Sequence, residues 1–305
     1  MKIAYLITAH NQPGHLHRLV DALNTNNASF FIHLDAKSDL NAFQPENYPK
    51  NVKFIDNRVR VSHGGFALLQ AMINLVRTAF NSEDFDYFQF LSGWDYPIKS
   101  PDYIFNFLSQ NYPTNFMNFY PLTRSADFVD NIRKYYFIDT IGNSPAFIKT
   151  PLKALQYLIN KIPYNRPFVP ELVPYRGSCW FCLNILTITY IINFLGTDIG
   201  KRLINFYKNS ACADEMFFQT VVMNSPLAEY CRLYTGEVDT FSSNENKAYL
   251  HYIDWDQKRE NPAVFDENDF QTLMDSSALY ARKFTETKSA RLLDMIDHQI
   301  KGATT

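Results

Sequence analysis

Two acidic and two basic positions carry the most chemistry in this chain. Asp214-Glu215 stands directly before the apolar run Met216-Phe217-Phe218, followed by Gln219-Thr220-Val221-Val222. A carboxylate within hydrogen-bond reach of an alcohol can take its proton as the oxygen attacks, so Glu215 is a candidate general base. Anions are also favoured at a helix start for purely structural reasons, so a capping reading stays open. Arg282-Lys283 lies between Ala281 and Phe284. Fixed cations held by apolar neighbours suit the charge that develops on a leaving phosphate. A solvated charged pair is the plainer alternative. Adjacent residues of a strand point to opposite faces, so only one of the two is expected to face a site.

If a phosphate is handled here, either a divalent ion or these cations must neutralise it. Mg²⁺ and Mn²⁺ take oxygen ligands, often from an Asp-x-Asp pair at the end of a strand. Asp84-Phe85-Asp86 precedes an apolar strand-like run instead of ending it, and Asp254-Trp255-Asp256 comes late in the chain. The expected place holds Ser92-Gly93-Trp94-Asp95, with a single carboxylate. No metal is therefore expected. The chain also lacks GxGxxG after its first strand, GxxxxGK[ST] and HExxH, which argues against dinucleotide oxidoreductases, P-loop enzymes and zincins. Cys179-Trp180-Phe181-Cys182 has redox spacing, but it lies in an apolar run with no second pair and reads as buried thiols.

The elements that must position these groups follow from hydrophobic period. Residues 3–9 read as a buried strand, broken from the next element by Pro13 and Gly14. Helices are expected over His15–Leu23, Phe66–Phe80 and Asp102–Leu108, and strands over Phe30–Asp35, Val52–Ile55 and Tyr87–Leu91. This alternation predicts an α/β fold with a mostly parallel twisted sheet flanked by helices. Ligands in such sheets bind beyond the carboxyl ends of the strands, where His10, Asn11, Asp35 and Asp95 fall. From Arg124 to Pro174 the pattern is less regular and rich in Pro, Tyr and basic residues. A strand over Gly177–Leu183 and helices over Thr187–Leu195, Asp198–Tyr207 and Asp214–Met223 follow. Tyr249–Trp255 and Leu279–Phe284 lead to a last helix, Lys288–Ile300.

Bulk composition narrows the classes. The chain has 305 residues, 46% hydrophobic and 20% charged, which suits a folded α/β unit. Lys plus Arg is 29 against 31 Asp plus Glu, a net charge of −2, so no basic surface calls for nucleic acid. No apolar run approaches the ~20 residues of a membrane span. With no linker or repeat, one domain over residues 1–305 is the expectation, read in two halves, 1–110 and 111–305.

Taken in order, several motifs resemble the core-2/I-branching N-acetylglucosaminyltransferase and peptide O-xylosyltransferase family. They are Ala4-Tyr5-Leu6-Ile7-Thr8-Ala9-His10, His33-Leu34-Asp35-Ala36-Lys37-Ser38, Gly64-Gly65 with Leu69-Gln70, and Phe90-Leu91-Ser92-Gly93-Trp94-Asp95-Tyr96-Pro97-Ile98-Lys99. Gly177-Ser178-Cys179-Trp180-Phe181, Asp214-Glu215 with its following run, Asn224-Ser225-Pro226, His251-Tyr252-Ile253-Asp254-Trp255 and Ala281-Arg282-Lys283-Phe284 complete the series. The resemblance implies a GT-A-like fold, a UDP-sugar donor carrying GlcNAc or xylose, inversion, and no metal. It places the base on Glu215, the diphosphate lysine on Lys283, the uridine-side aspartate on Asp35 beside His10 and Asn11, and Asp95 in the donor-sugar loop. An arginine upstream of the lysine falls in Lys258-Arg259-Glu260, so Arg259 and Arg282 are both candidates to assist. Trp94, Trp180, Trp255 and Arg133 are the candidates to meet the acceptor, a glycan or other hydroxyl compound. The chain begins directly at its first strand with few cysteines, unlike animal members with anchor, stem and disulfides. That implies a bacterial, cytoplasm-facing enzyme, brought to a membrane face if its acceptor is lipid-linked. The rival readings are a non-catalytic glycan-binding protein on the same fold and a glycosidase. A glycosidase needs two carboxylates flanking one bond, ~5–9.5 Å apart, which adjacent Asp214 and Glu215 serve poorly.

Overall fold

The computed structural model describes residues 1–122, 128–231, 245–246, 250–255, 259 and 262–302. Arg124, Tyr249, Asp256, Lys258 and Glu260 lie outside the described residues. In chain order come β1 (Ile3–Ala9), α1 (Pro13–Leu23), β2 (Ala28–Leu34), β3 (Val52–Phe54), α2 (Phe66–Phe80), β4 (Tyr87–Ser92), β5 (Asp95–Pro97), α3 (Pro101–Gln110) and β6 (Phe116–Met117). The second part holds β7 (Tyr120–Pro121), α4 (Asp130–Arg133), α5 (Ile138–Asn143), α6 (Ala146–Lys161), β8 (Tyr175–Arg176), β9 (Phe181–Asn184), α7 (Ile185–Gly196), α8 (Asp198–Tyr207) and α9 (Phe217–Met223). β10 (Glu245–Asn246), β11 (His251–Ile253), α10 (Phe270–Asp275), β12 (Tyr280–Arg282) and α11 (Ala290–Gly302) follow.

The main sheet has the order β3-β2-β1-β4-β9-β6. β3, β2, β1 and β4 run parallel, while β9 is antiparallel to both β4 and β6. Side chains alternate across it as a pleat requires. Ile3, Tyr5 and Ile7 enter one core with Leu16, Ile104 and Leu292, from α1, α3 and α11. Ala4 and Leu6 enter the other, with Met72, Ile188, Leu203 and Val221 from α2, α7, α8 and α9. Both faces are thus covered, which is why β1 reads as a near-continuous apolar run and β4 does so apart from Gln89 and Ser92.

A smaller sheet, β10-β11-β12-β5, joins distant parts of the chain. β12 pairs antiparallel with β5, setting Arg282 opposite Asp95. β5 follows β4 after a two-residue turn, so this pairing carries the end of the chain to the carboxyl edge of the parallel strands.

Several local expectations are corrected. Pro13 and Gly14 open α1, because a proline in the first turn loses no helical hydrogen bond and its φ is already suitable. Residues 177–180 are not strand. Gly177 approaches Asn118 so closely that any Cβ would overlap the Asn118 carbonyl. Pairing with β4 starts only near Phe181. Asp214 and Glu215 lie in a single 3-10 turn, Ala213–Glu215, which Met216 separates from α9. The stretch read as less regular contains the 16-residue α6. Pro151 and the absence of any fully buried side chain hide that helix from a periodicity reading. No helix among the described residues is long and apolar enough to cross a membrane.

Candidate active site

At the carboxyl ends of β1 and β2, His10 and Asn11 are exposed and Asp35 is buried. Asp35 is held by the turn it starts: its carboxylate accepts the Lys37 N–H at 2.8 Å and the Val61 N–H at 3.3 Å. The Trp94 indole N–H donates to Asn11 Oδ1 at 2.6 Å, and its ring stacks on His10 with centroids 5.7 Å apart. Lys283 Nζ lies 3.9 Å from the centroid of the same indole, a cation–π contact. Burial lowers the His10 pKa, Asp35 opposes this, and Arg282, Lys37 and Lys283 lower it further. Both Arg282 and Lys283 therefore reach this corner, against the expectation that only one would. The pairing with β5 ends at Arg282, so strand alternation no longer governs Lys283.

Asp95 anchors Arg282. It is 0% exposed. Its carboxylate accepts the Ser92 N–H at 2.6 Å and hydroxyl at 2.9 Å, the Trp180 indole N–H at 2.9 Å and Arg282 at 3.2 Å. His251 Nε2 is 3.6 Å away. Burial alone would raise its pKa, but His251 and Arg282 outweigh that and hold the carboxyl far below its usual range. Arg282 also stacks over Trp180, with its guanidinium carbon 5.0 Å from the ring centroid.

The carboxylate half sits one short segment away. Glu215 Oε2 accepts a hydrogen bond from the Arg176 guanidinium. The Glu215 side chain keeps 27% of its surface exposed while that of Arg176 keeps only 5%. Phe128 covers the Arg176 guanidinium at 3.8 Å. The Glu215 carbonyl accepts the Gly177 N–H at 2.8 Å. Only two residues lie between Gly177 and Trp180, three steps or at most roughly 11 Å of chain, so segment 177–180 ties Glu215 to Asp95. Cys179, between them, feels the field of Asp214 and Glu215 on one side and of Arg282 and Asp95 on the other. Burial raises the Glu215 pKa, and Arg176 and His63 oppose it. Asp214 is pushed up as well, by burial and then by Glu215 beside it.

Arg259 gives its guanidinium to Asp254 at 3.0 Å and to both Asp269 oxygens at 2.8 and 2.9 Å. Its Nη2 donates to the Val264 carbonyl at 3.3 Å, within the segment whose backbone pairs with Lys283. Trp255 is half-buried just past β11, and Arg133 is exposed on α4. Asp86 accepts the Lys2 N–H at 2.6 Å, at the start of β4, the sheet end opposite His10. All four cysteines are free thiols. Sequence reading missed Arg176. Its one signal was a basic residue directly before the Gly-Ser motif, and nothing local ties that residue to position 215.

Comparison with known proteins gives this arrangement its setting. Human "Xylosyltransferase 1" is 25% identical over 99% of this chain, and rat "Xylosyltransferase 2" is 26% identical over 99% of it. These alignments cover 31% and 34% of the relatives, so the chain spans about a third of their length. The sheet with helices on both faces agrees with the GT-A-like architecture expected above. The model of the Core-2/I-branching enzymes matches residues 3–274, nearly the whole chain, and the chain belongs to that family of glycosyltransferases.

Proposed function

We propose that this chain transfers xylose or GlcNAc from a UDP-sugar to a hydroxyl acceptor, with inversion and without a metal ion. The observation that carries this is the shared neighbourhood of a desolvated carboxylate, Glu215, and two tryptophan-backed cations, Arg282 and Lys283. Glu215 takes the proton of the acceptor hydroxyl. The oxygen attacks the anomeric carbon from the face opposite the nucleotide. The bond to the diphosphate oxygen breaks and its electron pair leaves with UDP. Lys283 stabilises that charge, helped by Arg282, while Arg259 is already committed to carboxylates. His10, Asn11 and Asp35 serve the nucleotide side. Asp95 acts by holding Arg282 and Trp180, since its oxygens already have protein donors.

The test is transfer from UDP-xylose and UDP-GlcNAc, with product configuration read by NMR. Full activity in excess EDTA supports the metal-free reading, and loss rescued by Mn²⁺ overturns it. UDP that fails to bind, while glycans still do, overturns catalysis in favour of glycan recognition. Lys283→Ala should lower kcat/KM by about 10²–10³-fold, the usual cost of losing one donor to a developing anion. It should also weaken UDP binding measured by calorimetry. Equal UDP affinity in this variant removes Lys283 from the diphosphate.

Arg176 makes a pH prediction. The base must be ionised, so activity falls as pH drops through its raised pKa. Arg176 favours the ionised form. In Arg176→Gln the acid limb of kcat/KM should move to higher pH, with Arg176→Lys in between. An unmoved limb in the Gln variant breaks the link between the two residues.

A further inference from the structure

We propose that α6 is a docking surface for an anionic membrane. The helix lies on the body through Leu152, Gln156, Ile159 and Asn160, which are half-buried. Gln156 fixes it by accepting the Phe137 N–H at 2.8 Å and donating to the Tyr135 carbonyl at 2.5 Å. The side turned away from the body is apolar. Phe147, Pro151, Ala154, Leu155, Leu158 and the C-cap Ile162 fall within an arc of about 100° on a 3.6-residue repeat. All of these are exposed, Phe147 by 80% and Leu158 by 62%. A face of this kind is costly in water and marks an interaction site.

Charge selects the occupant. Residues 140–170 contain Lys149, Lys153, Lys161 and Arg166 and no acidic residue. Lys161, Tyr157 and Lys153 follow one another along one border of the apolar arc, with Lys161 Nζ 5.1 Å from the Tyr157 ring centroid. An apolar face edged by lysine and tyrosine is the pattern of a helix lying in the plane of a bilayer interface, with ammonium groups at the phosphates. A symmetric pair of copies would set the same lysines together with no acid to offset them, and is disfavoured. This inference stands independently of the transfer chemistry.

Vesicle co-sedimentation of the whole chain tests it. The chain should pellet with phosphatidylcholine vesicles containing about 30% phosphatidylglycerol, and far less with phosphatidylcholine alone. Phe147→Ser with Leu158→Ser should weaken binding at least ~10-fold. Lys153 and Lys161 both changed to Gln should remove roughly 30-fold. These positions are exposed, so melting temperatures should stay at the wild-type value, showing that folding is intact. No binding to either vesicle overturns the proposal, as does binding that these substitutions leave unchanged. So does sedimentation velocity showing a dimer that Leu158→Ser dissolves.

Discussion

Glu215→Gln should lower kcat by about 10²–10⁴-fold while leaving UDP affinity and melting temperature close to wild type. The amide matches the carboxylate in shape, and its oxygen can still accept from Arg176. What it loses is the ability to take a proton. Asp214 is a poor substitute, because it is only 6% exposed and lies beneath the site. The decisive measurement is single-turnover transfer across pH. Wild type should show an acid limb above the ordinary glutamate value, since burial raises the Glu215 pKa and Arg176 and His63 only partly offset it. The Gln variant should show low activity with no such limb. Turnover at the wild-type rate would take Glu215 out of the role.

The second large effect concerns stability. Asp95→Asn should lower unfolding free energy by ~3–5 kcal/mol, the cost of leaving one side of a buried ion pair unmatched. The Ser92 N–H and the Trp180 indole N–H could keep the one oxygen they already share, but an NH₂ would then replace the oxygen that accepts from Arg282 and would face that charge. Urea unfolding should show a lower midpoint. The wild-type pH dependence carries the same signature. Asp95 has a depressed folded-state pKa, so its stabilisation is complete above its unfolded value, ~3.9, and is lost as pH falls below it. The Asn variant should lack that acid-side loss. A variant as stable as wild type would mean that the Arg282 and His251 contacts contribute little.

Much of this site was legible because its parts lie at the ends of strongly periodic elements. His10, Asn11 and Asp35 follow apolar strands, and ligand sites in parallel sheets gather there. Helices α2 and α8 have the ends that capping and spacing predict. Features set by distant partners were hidden. The 3-10 turn at Asp214-Glu215 depends on Cys212 in a left-handed conformation and on its N–H reaching the Gly64 carbonyl. Arg176 gains meaning only when segment 177–180 folds against Glu215. The direction of β9 is invisible to hydrophobic period, which is the same for parallel and antiparallel pairing.

The pairing of β5 with β12 has a consequence for biogenesis. Asp95 and Arg282 are 187 positions apart. A ribosome that has extruded β4 and β5 has made Asp95 without the residue it pairs with. Until residue 282 emerges, Asp95 is a carboxylate awaiting its counter-charge. Assembly of the proposed donor site therefore waits on a long-range pairing that no segment ending before β12 can complete.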